Sequence, residues 1–72
     1  MTLQEVADKV FKGLDSAVQI IAICEPDENG DLRSNEWDYA DEMLELYGRR
    51  KVVDYEHFKS RNILAVLLEE EK

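Results

Sequence analysis

The sequence predicts an all-α fold, a small domain of three helices. Three observations carry that expectation. Apolar residues recur at three- and four-residue steps in three stretches, two polar breaks containing Gly or Pro separate the stretches, and each stretch opens on a residue suited to cap a helix. A chain of 72 residues holds enough apolar side chain for one core and no second one, so residues 1–72 are expected to form a single domain.

Helix 1 opens on Thr2 and Glu5, the spacing of a capping box in which each side chain satisfies a free backbone N–H of the first turn. Leu3, Val6, Val10, Leu14, Ala17, Ile21 and Cys24 then fall along one helical face, and Pro26 sets the latest point at which that helix ends. Gly13 inside the run marks a bend or break near residues 13–16. Helix 2 takes Ser34 or Asn35 as its N-cap, places Trp37, Ala40, Leu44 and Tyr47 on one face and ends at Gly48. Its early acids Glu36, Asp38, Asp41 and Glu42 suit the positive end of a helix dipole. A loop over residues 49–53 leads to Asp54 as the third N-cap, and the third helix covers approximately residues 54–70. Its segment Ile63-Leu64-Ala65-Val66-Leu67-Leu68 is apolar around most of a helical circumference. Such a run needs deep packing or a further protein surface over it, so Ile63, Leu64, Leu67 and Leu68 are the candidate partner-binding residues, toward a protein partner or a homodimer.

The formal net charge of −8 is unevenly placed. Residues 1–24 hold two bases and three acids, residues 25–47 one base and nine acids, and residues 48–72 six bases and five acids. Nucleic acid is disfavoured as a direct ligand, because phosphate binding needs a cationic footprint and the single basic run is Arg49-Arg50-Lys51. An acidic block of this density holds a cation, faces a basic partner or keeps the chain soluble. No apolar run approaches the roughly 18–20 residues that span a bilayer, no signal peptide precedes the first helix, and one cysteine cannot close an intrachain disulfide. A cytoplasmic protein without a membrane contact is the expectation.

The segment Glu25-Pro26-Asp27-Glu28-Asn29-Gly30-Asp31-Leu32-Arg33-Ser34-Asn35-Glu36 resembles the twelve-residue calcium loop of the EF-hand family, D-x-[DN]-x-[DN]-G-x5-E. Asp27 and Asn29 match its third and fifth positions, Gly30 the sixth, Leu32 the apolar eighth and Glu36 the twelfth. The resemblance implies an EF-hand-like helix–loop–helix over residues 17–47 that binds calcium weakly. Glu25, Asp27, Asn29 and Glu36 would offer side-chain oxygens, Asp31 its backbone carbonyl, and Leu32 would turn into the core. The sequence departs from the pattern at Glu25, one methylene longer than the usual Asp, and at Arg33, whose positive charge repels a cation at the ninth position. The same residues also suit a solvated turn in which Pro26, Asn29 and Gly30 only make the bend. Residues 53–58 look like the tail of a second, degenerate loop that binds nothing.

Catalytic chemistry has little to draw on. One Cys and one His, Cys24 and His57, form the sole candidate nucleophile and base; Cys24 on an apolar face suits a small buried hydrophobe, and His57 suits a surface or capping role. A zinc site wants more Cys or His than the chain holds. Gly13-Leu14-Asp15-Ser16 resembles the G-x-D-S segment of acyl and peptidyl carrier proteins, which implies a phosphopantetheine arm on Ser16, although those proteins place a full helix and long loop ahead of that serine. The functional expectation is therefore a non-enzymatic, small acidic binding or regulatory protein with a weak calcium loop and an apolar third helix for protein contact. Its alternatives are a metal-free acidic adaptor or inhibitor docking on a basic partner surface and, more remotely, a carrier protein modified on Ser16.

Overall fold

The computed structural model describes residues 1–15 and 18–70. In chain order it contains α1 (Leu3–Val10), β1 (Ile20–Pro26), β2 (Leu32–Tyr39), α2 (Ala40–Tyr47), β3 (Val52–Phe58) and β4 (Ile63–Leu68), with a 3-10 turn, Lys59–Arg61, before β4. The strands form one mixed sheet in the order β2-β1-β4-β3. Each hairpin, β1 with β2 and β3 with β4, is antiparallel, while the two central strands β1 and β4 run parallel, Ile20 beside Ile63 and Ala22 beside Ala65. The domain is thus α+β, and the all-α expectation is overturned. Residues flanking the 27–31 turn are strands, so no helix–loop–helix forms over residues 17–47, and residues 54–70 hold β3 and β4 where a third helix was expected.

The physical reason lies in the apolar runs. Ile20-Ile21-Ala22-Ile23-Cys24 and Ile63–Leu68 are the two central strands of a sheet, and a strand apolar on both faces reads as a continuous apolar run. Any such run also contains residues at three- and four-residue steps, which is how a helical period arose from it. The β-branched Ile20, Ile21, Ile23, Val52, Val53, Ile63 and Val66 stiffen χ1 and fit the pleated surface better than a helix.

Two parts expected as helix are observed as helix, the first with the capping chemistry expected for it and the second without it, since its expected caps Ser34 and Asn35 lie in β2 and Tyr39 at its start makes no side-chain cap bond. Thr2 accepts from the Glu5 N–H at 3.3 Å and its own N–H donates to the Glu5 carboxylate at 2.9 Å, the capping box expected for α1. That bond from the Thr2 backbone, with a second contribution from its hydroxyl, holds the Glu5 carboxyl below its ordinary value. The helix ends at Val10, and Gly13 follows at φ 78°, a left-handed backbone that breaks the expected continuation toward Pro26. The second helix is shorter than expected, yet it ends at Gly48, whose N–H caps the Leu44 carbonyl at 2.9 Å.

Both helices lie on one face of the sheet. Leu3, Val6 and Ala7 of the first, Phe11 just after it, Ala40 and Met43 of the second, and Ile21, Ile23, Leu64 and Val66 of the central strands make the core. His57 joins it at the margin, its ring edge-on to Phe11 at 5.6 Å. The amino terminus is tied down by the Leu3 N–H to the Arg50 carbonyl, 2.8 Å, and by the Val52 N–H to the Met1 carbonyl, 2.7 Å. No helix among the described residues is long and apolar enough to cross a membrane.

Candidate functional site

The residues expected to ring a calcium ion lie in a β-hairpin. Asp27 closes its tip: one carboxylate oxygen accepts from the Asn29 N–H at 2.9 Å and the Asp31 N–H at 3.0 Å, and the other meets Arg33 Nε at 3.0 Å. This is an Asx turn, with the Asp27 N–H bonded to the Asp31 carbonyl at 2.8 Å and Gly30 at φ 83°. The Asp31 carbonyl thus serves the hairpin. Arg33, the departure from the calcium pattern at the ninth position, pairs with the central carboxylate. Glu25 sits in β1 opposite Arg33. Glu36 lies along β2, carried roughly 15 Å beyond Asp31 by extended backbone; there its carboxylate accepts from the Tyr47 hydroxyl of α2, a bond that pushes the Tyr47 pKa up. Among the described residues, no group of three or more His, Cys, Asp and Glu side chains is placed to hold a metal ion, which corrects the metal-binding expectation. Leu32 does not enter the core and is exposed.

The face of the sheet opposite the helices is the larger feature. Register pairing sets three rows of four residues across it: Tyr39, Ile20, Ile63 and Phe58; Trp37, Ala22, Ala65 and Glu56; Ser34, Cys24, Leu67 and Asp54. Alternation in each strand puts these side chains on the side away from Ile21, Ile23, Leu64 and Val66. Ala22 and Ala65 form a low floor in the middle row. Trp37 on the β2 edge and Phe58 on the β3 edge rise beside it and remain exposed, Trp37 at 65%. A groove of about 680 Å³ runs over this floor. A bulge between Ile23 and Cys24 leaves Asn35 without a partner in β1 and puts Leu32 and Ser34 on the same side as Trp37.

The partner-binding candidates divide between the two faces. Ile63 and Leu67 lie on the open face, Leu64 is wholly buried under the helices, and Leu68 packs half-buried against the core. Cys24 and His57 are not brought together: Cys24 is on the open face and burial raises its thiol pKa, whereas His57 is on the helix side beside Phe11. Ser16, the candidate for a phosphopantetheine arm, lies outside the described residues. Sequence reasoning missed Trp37, Tyr39 and Phe58 as a shared surface, since a helical period assigned Trp37 to the core. The signal that could have found them is the alternation Leu32, Ser34, then Trp37, Tyr39, interrupted by one bulged residue.

The domain is a two-layer α+β unit in which, among the described residues, one sheet face has no helix over it. Comparison with protein-family models, with curated proteins and with solved structures found no match.

Proposed function

We propose that this chain is a non-enzymatic protein-binding domain whose contact surface is the open face of the sheet. The observation that supports it is the composition of that face: ten of the twelve row positions other than Asp54 and Glu56 are apolar, aromatic or small, and Trp37, Tyr39 and Phe58 stand exposed at its two edges. Buried aromatic anchors carry most of the energy of protein interfaces, and a contiguous apolar surface of this kind on a small domain marks a contact site. A photo-crosslinking residue in place of Trp37 captures protein, whereas one in place of the exposed Leu46 on α2 does not. No capture at Trp37, or equal capture at both positions, removes the reading.

A second reading, an acidic adaptor or inhibitor docking on a basic partner, is favoured by where the charge lies. The open face carries two acids, Asp54 and Glu56, against one base, Arg61, a net −1 of the chain's −8. The remaining acids include Glu36 and Asp38 of β2 and Asp41, Glu42 and Glu45 of α2, all exposed on the helix side or beside it. Binding through them weakens steeply as ionic strength rises, while binding through the sheet face does not, and a titration of complex formation against salt separates the two.

A further inference from the structure

Resting on the sheet-face reading above, we propose that the occupant of that face is a second copy of this chain, related by a two-fold axis that runs along the strands between β1 and β4.

The rows themselves carry the argument. A two-fold axis in that position keeps the level of each row and exchanges its ends, so that β2 of one copy faces β3 of the other. In the first row Tyr39 then meets the other copy's Phe58, and Ile20 meets Ile63, an all-apolar layer. The middle row sets Trp37, whose indole N–H is a donor, against Glu56 of the other copy, over the Ala22 and Ala65 floor. The third row sets the Ser34 hydroxyl against Asp54. Each acid of the face is thereby opposed by a hydrogen-bond donor and no acid by another acid. An axis across the strands, by contrast, places each edge strand over its own copy and brings the acidic β3 edges together.

Charge and size agree with this occupant. Seven of the eight net negative charges lie off the face, since the face contributes −2 from Asp54 and Glu56 and +1 from Arg61 to the chain's −8. Two copies can therefore approach without stacking their main like charges. Four strands about 4.8 Å apart and about six residues long present roughly 400 Å² in projection per copy, about half the roughly 800 Å² per partner of a standard stable interface, which fits a weak, reversible dimer. A domain with one layer of helices, one free cysteine and a single small core also gains most from a partner present at its own concentration. Two sheets packed at about 10 Å with aligned strands give the resulting four-layer assembly, helices outside and a sheet pair inside.

The test uses the full chain. Sedimentation equilibrium from about 1 to about 100 μM gives a reversible monomer–dimer curve, and emission of Trp37, the one tryptophan, shifts to the blue as dimer forms. Trp37→Lys, at a position exposed in the single chain, keeps its melting transition at low concentration and raises the dimer dissociation constant at least tenfold; Ala65→Arg does the same by filling the floor. In a Cys24→Ser background, Tyr39→Cys mixed with Phe58→Cys is joined by a short bis-maleimide, while Tyr39→Cys by itself is not. A chain monomeric throughout, a dimer unaffected by Trp37→Lys, or Tyr39→Cys crosslinked to itself overturns the proposal. Monomeric chain that still gives a Trp37 photo-adduct with a different protein overturns the second copy and leaves the protein-binding reading standing; no adduct of any kind removes both.

Discussion

The two faces of the sheet share one alternating pattern and have opposite surroundings. On the helix side Ile21, Ile23, Leu64 and Val66 are buried under Leu3, Val6, Ala40 and Met43. On the other side Ile20, Ala22, Cys24, Ile63, Ala65 and Leu67 continue the same strands with side chains almost as apolar and, among the described residues, no layer over them. A central strand that faces water on one side usually alternates apolar with polar, as antiparallel sheets with one solvated face do. Neither central strand alternates in that way: residues 20–24 and Ile63–Leu68 are apolar or small at every position. The difference teaches that similar strand chemistry is buried on one face and left open on the other, the feature on which the proposed contact surface rests.

The comparison breaks most readily at β4, where neighbouring residues point to opposite faces. Leu64→Ala empties a fully buried site and is expected to cost about 2–5 kcal/mol in chemical denaturation, while Leu67→Ala on the open face costs less than about 1 kcal/mol at concentrations low enough to keep the chain monomeric. Equal losses at the two positions contradict the division of faces. Next in size, Gly48→Ala places a Cβ 2.4 Å from the Leu44 carbonyl oxygen, and the shift needed to clear it costs about 1–3 kcal/mol, read as a lower melting temperature. That loss falls on the helix layer and leaves any sheet-face association unchanged once the chain is folded.

Smaller effects sharpen the same contrast. Thr2→Ala removes the cap of α1 and costs about 1 kcal/mol in the covered layer. The pH dependence of that cap follows from the lowered Glu5 carboxyl: its contribution is fully present above the unfolded value and is lost as the pH falls through the folded one. The stability difference between wild type and Glu5→Ala therefore shrinks on acidification, which thermal melts from pH 7 to about pH 3 measure. The smallest effect is spectroscopic. Tyr47 ionises above the ordinary tyrosine range because its hydroxyl donates to Glu36, and ultraviolet titration of Glu36→Gln moves that transition back down relative to wild type.

What was legible in the residues was the chemistry that acts over three or four positions. Thr2 and Glu5 fixed where α1 begins, Gly48 where α2 ends, and Asp27, Asn29 and Gly30 the bend between the flanking elements. That Ile63–Leu68 is apolar on more than one side was also visible, although its conformation was not. Strand pairing was hidden because Ile20 answers to Ile63 through the fold and to nothing near it in sequence. The Asn35 bulge further disguised β2 by breaking its alternation between Ser34 and Trp37. The oxygen-rich spacing from Glu25 to Glu36 meets the needs of a tight hairpin tip as well as those of an ion-binding loop, and residue spacing does not distinguish them.

The parallel seam between β1 and β4 has a consequence for how the molecule assembles. Each hairpin closes through a short local turn, but the seam joins residue 20 to residue 63 and must bring two finished pieces together at a high cost in chain entropy. Collapse of the halves should therefore precede a slower docking step, with substitutions along the seam retarding refolding and those at the hairpin tips leaving its rate nearly untouched. On a translating ribosome the inner edge of the first strand waits, bare, for the last one to emerge.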